Sequence, residues 1–174
     1  IDANANGRYD DFGVDGLAIG KDRGAGYVSR IVNIDSKLFE FEVNADGTEV
    51  KTRPYTGETG VLTLKKIKGI KASVVTAIAR QGKDVSFQIA GAKKGMVVPV
   101  GDYVLADAFL KGSSETARIR MGRMERLEVA TDGETELQLG GPLTGEVPSP
   151  RLQDGKAVVS PNVQVFGTLG EEYY

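Results

Sequence analysis

The stretch LFEFEVNADGTEVKTR, residues 38–53, carries the clearest structural signal in the sequence. Apolar and polar side chains alternate from Leu38 to Val43, a pattern typical of a β-strand with one buried face. The dipeptide Asp46-Gly47 follows, and the remainder of the stretch can return as a partner strand. Asp-Gly between two such runs favours a tight hairpin, because its turn positions require positive φ. The stretch therefore predicts antiparallel β structure.

Similar short runs recur outward from this hairpin, separated by Gly, Pro, Asp and Asn. We predict about ten strands, spaced every eight to twelve residues, and no amphipathic helix. Residues 72–79 are rich in β-branched side chains, which favours a strand. A helix over residues 117–129 would place Gly122 in its interior at a cost of about 1 kcal/mol, so strands are expected there too. The expected fold class is an all-β sandwich.

The composition excludes many kinds of site. The 174 residues include 23 Gly but no Cys, no His and no Trp. A Ser-His-Asp triad, a Cys nucleophile, a disulfide framework and the usual zinc, copper or haem ligands are therefore excluded. What remains is carboxylate, amide and carbonyl oxygen, which suits hard cations such as Ca²⁺. We predict that the chain is not an enzyme.

Charge and hydropathy give no sign of nucleic acid or membrane as partners. The 22 Lys+Arg residues nearly balance the 24 Asp+Glu residues, for a net charge of −2. Without a basic run there is no electrostatic footprint for nucleic acid. No stretch approaches the roughly 20 apolar residues needed to cross a bilayer. We therefore expect no nucleic-acid partner and no membrane span in this chain.

The sequence DANANGRYDD, residues 2–11, is the most specific motif. Oxygen-bearing side chains stand at its first, third and fifth positions and Gly at its sixth, a spacing typical of calcium loops. The predicted ligands are Asp2, Asn4, Asn6, the backbone carbonyl of Arg8, Asp10, Asp11 and Asp15.

Two interpretations of this motif remain open. The twelfth position, where an EF-hand loop has a bidentate Glu, is Gly13, and Asp15 is the best substitute. Because the bidentate Glu is missing, we predict that the loop binds Ca²⁺ weakly and requires the millimolar Ca²⁺ concentrations found outside cells. Alternatively, the residues form an Asn/Asp-rich turn whose side chains bond to the local backbone without any metal.

The motif resembles the calcium loops of bacterial secreted and surface β modules, such as the B-repeat domains of Gram-positive adhesins. In that family a DxNxNGxxDD stretch lies beside strands rather than between helices. The resemblance covers about fifteen residues, and it implies a structural Ca²⁺ ion that rigidifies a module.

A second stretch, VVPVGDYVL at residues 97–105, resembles the hairpin of prealbumin-like modules, which include carboxypeptidase-regulatory-like domains. This resemblance covers about residues 66–142 and implies a β-sandwich of the immunoglobulin-like or prealbumin-like kind. The motif describes a turn, so Tyr103 is expected to pack at the sandwich rather than to bind a ligand.

Together these signals predict two small β modules and a tail. The expected division is 1–62 for an N-terminal β module with the Asp/Asn loop, 63–146 for a prealbumin-like sandwich, and 147–174 for a linker with strands that complete one module or begin another. The chain lacks an initiator Met and starts one residue before a motif, so we expect a piece of a larger protein.

The expected function is that of an exported structural or adhesive module of a bacterial cell-envelope protein, located extracellularly, in the periplasm or on the cell surface. Its partner would be an unidentified protein or glycan surface. A carbohydrate-binding module is the alternative, using tyrosines as stacking platforms; the candidates are Tyr9, Tyr27, Tyr55, Tyr173 and Tyr174. A glycan-active hydrolase fragment is a third possibility, which would need two carboxylates facing across a cleft.

Overall fold

The structure is a computed structural model that describes residues 1–20, 25–158 and 162–174. These residues form strands and no helix, so the all-β prediction is confirmed. The strands are β1 (Gly16–Leu17), β2 (Gly26–Tyr27), β3 (Ile31–Ile34), β4 (Lys37–Val43), β5 (Val50–Pro54), β6 (Thr59–Leu64), β7 (Ser73–Gln81), β8 (Val85–Gln88), β9 (Met96–Pro99), β10 (Gly101–Lys111), β11 (Thr116–Arg120), β12 (Leu127–Val129), β13 (Glu134–Leu137), β14 (Thr144–Glu146), β15 (Arg151–Gln153), β16 (Lys156–Val158), β17 (Gln164–Phe166) and β18 (Glu172–Tyr173).

The hairpin predicted at residues 38–53 is present as β4 and β5, which form an antiparallel sheet together with β3. Gly47 in its turn has a φ of 70°, whereas Asp46 does not have the positive φ that the Asp-Gly signal predicts at both positions. Phe41 is buried with Val28 and Val32 in a small hydrophobic cluster. Leu38, on the opposite face of β4, packs into the larger core of the molecule. The strand therefore joins two hydrophobic clusters.

The largest sheet has the order β14-β17-β18-β11-β10-β7-β8, and β12 also pairs with β10. β10 is the longest strand and lies between β7 and β11, antiparallel to both. β7 covers residues 73–79 of the predicted strand 72–79, as their β-branched content predicts. This sheet forms one layer of the fold.

The second layer is the sheet β13-β6-β9, in which β13 and β6 run parallel. Leu62 of β6 and Leu137 of β13 share one hydrophobic cluster with Leu105 of β10, and all three are almost completely buried. Two sheets that cover one apolar core make the fold sandwich-like.

The segment that resembles a prealbumin-like hairpin forms β9 and the start of β10. Tyr103 is fully buried in the larger core, and its hydroxyl donates a hydrogen bond to the Pro99 carbonyl at 2.8 Å. Burial raises the pKa of the Tyr103 hydroxyl above its usual value. Tyr103 therefore packs inside the sandwich.

Residues 117–129 form β11 and β12 with a turn between them, as the interior glycine predicts. Gly122 in that turn has a φ of 57°. A Cβ atom at this position would lie 2.5 Å from the Gly170 carbonyl oxygen, so only glycine allows this close approach of backbones.

The expected boundary between residues 62 and 63 falls within β6, which belongs to the larger core. In the expected tail, β17 and β18 extend the largest sheet, whereas β15 and β16 form a separate two-stranded sheet among the described residues. The sequence also predicts a strand at Ala157–Val159; β16 covers its first two residues, and Val159 lies outside the described residues.

Candidate functional site

The Asp/Asn-rich segment, residues 1–15, folds into a loop that is closed on itself and docked on the small cluster. The terminal amino group of Ile1 donates to the Gly16 carbonyl at 2.8 Å, and the Gly16 N–H returns a bond to the Ile1 carbonyl. The Gly13 N–H donates to the Val28 carbonyl. These bonds hold the predicted ligand residues together in space.

Asp15 is the buried anchor of the loop. It has no solvent-exposed surface, and its two carboxylate oxygens accept the backbone N–H groups of Ala3 at 3.0 Å and Asp11 at 3.1 Å. A buried carboxylate needs such partners, because its desolvation is otherwise costly. Asp15 is the predicted substitute for the missing twelfth-position ligand, and its two oxygens bond to backbone N–H groups near both ends of the motif.

Asp2 organises the turn at the centre of the motif. Its carboxylate accepts the N–H groups of Asn6 at 3.2 Å and Gly7 at 2.8 Å. Gly7 has a φ of 81°, which a residue with a side chain rarely adopts, so this Gly serves the sharp turn expected of it.

The side chains of Asn4 and Asn6 converge on one oxygen of Asp11. Their amide nitrogens lie 2.8 Å and 2.7 Å from Asp11 Oδ2. These hydrogen bonds, first from Asn4 and then from Asn6, hold the pKa of the Asp11 carboxyl below its ordinary value of 3.8. Three of the predicted ligand residues are thus joined at one atom, because Asn4 and Asn6 both lie within hydrogen-bonding distance of Asp11 Oδ2.

Arg8 and Asp10, two further predicted ligand residues, form an ion pair with each other. Both oxygens of the Asp10 carboxylate accept hydrogen bonds from the Arg8 guanidinium, at 3.0 Å and 2.7 Å. The pair is solvent-exposed on the Arg8 side and closes the end of the turn. The Arg8 N–H donates to the side-chain oxygen of Asn6, which links this pair to the rest of the loop.

The carboxylate, carboxamide and carbonyl oxygens of the loop are the kinds of atoms that bind Ca²⁺. Within the described residues, no three acidic side chains form a group that could hold a metal, so a cation would also need carboxamide and carbonyl oxygens. Rotation of the Asn4 and Asn6 carboxamides by half a turn would exchange nitrogen for oxygen beside Asp11 Oδ2. Several oxygens facing one another require a cation between them, whereas the present orientation satisfies Asp11 with N–H donors. The same rotation would turn the carboxamide NH₂ groups of Asn4 and Asn6 toward the backbone N–H groups of Asn6 and Arg8, which now donate to Asn4 Oδ1 and Asn6 Oδ1. Binding of a cation would therefore also require the backbone of the loop to rearrange.

One contact of the loop has no signal in the sequence. Tyr9 donates its backbone N–H to the Ala45 carbonyl at 2.9 Å. Its ring lies so close to Gly47 that a Cβ there would be 3.0 Å from Tyr9 Cγ. The loop is thus docked on the turn of the β4–β5 hairpin.

The tyrosines proposed as stacking platforms occupy unlike environments. Tyr9 and Tyr174 are 41% and 61% exposed, whereas Tyr173 is buried. The Arg80 guanidinium covers Tyr27 at 5.0 Å from the ring centroid, and Tyr55 is half-buried.

A polar groove lies beside Tyr174. The Arg120 guanidinium is 5.1 Å from the centroid of the Tyr174 ring and makes two hydrogen bonds to Glu172, at 2.9 Å and 2.8 Å. Arg151 and Gln153 of the β15–β16 hairpin line the same groove. It combines an exposed ring with charged hydrogen-bonding groups.

Comparison of the chain with protein-family models, with curated proteins and with solved structures finds no match. Across residues 1–20, 25–158 and 162–174, the structure contains no helix long and apolar enough to span a lipid bilayer.

Proposed function

We propose that this chain is a non-enzymatic structural or adhesive β module of a larger exported bacterial cell-envelope protein, and that Ca²⁺ stabilises its N-terminal loop. The convergence of Asn4 and Asn6 on Asp11, above the buried Asp15, carries the proposal. The carboxylate, carboxamide and carbonyl oxygens that the motif carries, and its location beside strands, support it.

Asp2, Asn4, Asn6, Asp11, Asp15 and the Arg8 carbonyl are the residues that would hold the ion. Bound Ca²⁺ supplies positive charge that draws carboxylate and carboxamide oxygens together. The role of Asp15 is to keep the two ends of the motif in place through the Ala3 and Asp11 amides. A loop fixed in this way loses the freedom that would otherwise oppose its ordering.

The test is thermal unfolding in 10 mM CaCl₂ and in chelator. A site with a dissociation constant near the millimolar range should raise the melting temperature by about 3–8 °C. Asp11→Ala should abolish this difference. Asp102→Ala is the control, because Asp102 is an exposed carboxylate of β10, outside both the loop and the hairpin turn on which the loop is docked. Identical melting curves for the unmodified protein with and without Ca²⁺ would reject the calcium proposal.

The alternative, a carbohydrate-binding module, is favoured by the groove beside Tyr174. Sugars stack on exposed aromatic rings and accept hydrogen bonds from groups such as the Arg120 guanidinium. A glycan array at millimolar Ca²⁺ separates the two proposals. Binding that is lost in Tyr174→Ala would support the carbohydrate function, and absence of binding would favour the structural one. Hydrolysis of a bound glycan would instead support a hydrolase fragment.

A further inference from the structure

Asn6 and Gly7 stand next to each other at the turn of the Asp/Asn loop, and both are exposed to water. Asn6 is the only asparagine in the sequence that precedes a glycine. In an Asn-Gly pair the backbone nitrogen of the glycine can attack the side-chain carbonyl carbon of the asparagine, because glycine has no Cβ to obstruct the approach. Asn6 is therefore a candidate for a covalent change within the chain itself.

The change is a deamidation in which water is the second reactant. The bond between Gly7 N and Asn6 Cγ forms, and the Gly7 amide proton passes to a solvent base. The bond between Cγ and Nδ2 then breaks, and Nδ2 takes a proton from solvent and leaves as ammonia. Water opens the resulting cyclic imide at either carbonyl carbon, which gives aspartate or isoaspartate. The step needs no oxidant or reductant, and it converts a neutral carboxamide into a carboxylate.

The closed loop holds both reacting groups in hydrogen bonds that oppose the attack. The Gly7 N–H donates to Asp2 Oδ2 at 2.8 Å, so the attacking nitrogen would have to lose its proton beside a negative carboxylate. Like charges so close together disfavour that ionisation. The Asn6 carboxamide is held at both ends, because its Oδ1 accepts the Arg8 N–H at 2.8 Å and its Nδ2 donates to Asp11 Oδ2 at 2.7 Å. The reaction therefore requires the loop to open.

The product cannot restore the closed arrangement. A carboxylate in place of the Asn6 carboxamide has no N–H to donate to Asp11. It also brings a second negative charge to hydrogen-bonding distance of Asp11, and two carboxylates at that distance repel each other. Deamidation thus removes one of the contacts that close the loop and replaces it with repulsion.

We propose that Asn6 is a deamidation site and that closure of the loop gates its reaction. The reaction is slow while Asp2 holds the Gly7 N–H, it proceeds from the small population in which the loop is open, and the new carboxylate keeps the loop open afterwards. The gating hydrogen bonds are made within the protein. The inference therefore does not depend on Ca²⁺ or on the proposed structural role, and its test is made in chelator.

The test follows deamidation of the intact chain at mildly alkaline pH. Mass spectrometry of the tryptic peptide of residues 1–8 measures the mass gained when NH₂ is replaced by OH, and fragment spectra assign it to Asn6 or to Asn4, which precedes Ala and serves as the internal reference. We expect Asn6 to react at least about tenfold more slowly in the folded protein than in the same protein unfolded in urea. Equal rates in the two states would overturn the proposal.

Two variants open the loop by different routes. Asp2→Ala removes the acceptor of the Gly7 N–H, whereas Asp15→Ala releases two backbone amides near the ends of the motif. Each should accelerate deamidation about fivefold or more, as expected for the loss of hydrogen bonds to a carboxylate. Asp102→Ala, which removes an exposed carboxylate of β10, is the control and should leave the rate unchanged.

The direction of the Asp2→Ala effect decides what Asp2 does. Slower deamidation in this variant would show that the Asp2 carboxylate takes up the Gly7 proton and promotes the attack, which would overturn its protective role. Unchanged rates in both loop variants would overturn the gating. Far-ultraviolet circular dichroism establishes that each variant is folded. Should either variant unfold, the comparison of folded and urea-unfolded unmodified protein decides alone.

The variant Asn6→Asp carries the charge of the product and tests the last step. In chelator, hydrogen exchange at the Gly7 amide should be at least about fivefold faster in this variant than in the unmodified protein, because repulsion from Asp11 opens the loop. Equal exchange at this amide would overturn the inference that deamidation keeps the loop open.

Discussion

The backbone N–H of Gly140 donates a 2.7 Å hydrogen bond to Oε1 of Glu171, which follows it by 31 residues. Glu171 is completely buried, and its carboxylate also accepts the N–H of Leu169 and the hydroxyl of Tyr173. These three donors connect the end of the second layer with β18, the last strand of the largest sheet. Glu171 thus fastens the C-terminal strands to the sandwich.

Replacement of Glu171 should be among the most damaging single changes. Glu171→Ala leaves two backbone N–H groups and a tyrosine hydroxyl without their acceptor, and we expect a loss of about 2–4 kcal/mol in the free energy of unfolding. Urea denaturation measures this as a lower midpoint. Glu125→Ala, at an exposed position, is the control. A loss below about 1 kcal/mol for Glu171→Ala would contradict the fastening role.

Asp15→Ala should release the N-terminal loop without unfolding the sandwich. The carboxylate of Asp15 holds the amides of Ala3 and Asp11, while the larger core contains no residue of the loop. Hydrogen exchange should accelerate at these two amides and remain slow in β10. Asp10→Ala, which removes an ion pair at the loop surface, should leave the exchange of the Ala3 amide unchanged. Equal exchange at Ala3 in Asp15→Ala and the unmodified protein would refute the anchoring role.

The loop should lose stability in acid because of Asp11. The pKa of its carboxyl is lower in the folded protein than its ordinary value of 3.8, so the folded state favours the ionised form. This contribution is fully present above pH 3.8 and is lost as the pH falls through the folded pKa. The stability difference between the unmodified protein and Asp11→Ala should therefore shrink below pH 3.8, as urea midpoints between pH 5 and 2.5 would reveal.

The comparison for this acid effect is Asp102→Ala, at an exposed position of β10. If the difference in stability between Asp11→Ala and the unmodified protein stays constant from pH 5 to 2.5, ionisation of Asp11 does not stabilise the fold.

Gly60→Ala should destabilise the protein although alanine has the higher strand propensity. A Cβ at Gly60 would lie 2.4 Å from the Ala130 carbonyl oxygen, and backbone cannot move aside as a flexible side chain can. We expect a cost of about 1–3 kcal/mol, measured by urea denaturation. Gly91→Ala is the matched control, since open space surrounds that position, and it should be neutral or slightly stabilising. Similar effects of the two substitutions would disprove this explanation.

The all-β class and much of the strand pattern could be predicted from the sequence. Alternation between Leu38 and Val43, with Asp46-Gly47 after it, acts over a few residues, and so the hairpin is readable locally. Gly122 likewise excludes a helix by its own conformational preference. The spacing of Asp2, Asn4, Asn6 and Asp11 also predicts the loop from the sequence.

Tertiary structure decided which distant groups meet. Leu38 shares its face of β4 with Glu40 and Glu42, yet it is buried, because β4 lies between two hydrophobic clusters. The parallel pairing of β13 with β6 and the hydrogen bond between Gly140 and Glu171 join residues far apart in the chain. Local composition determines strands and turns because φ preferences and side-chain alternation act between neighbours. The pairing of sheets and the partners of buried polar groups depend on packing across the whole core, which no single stretch encodes.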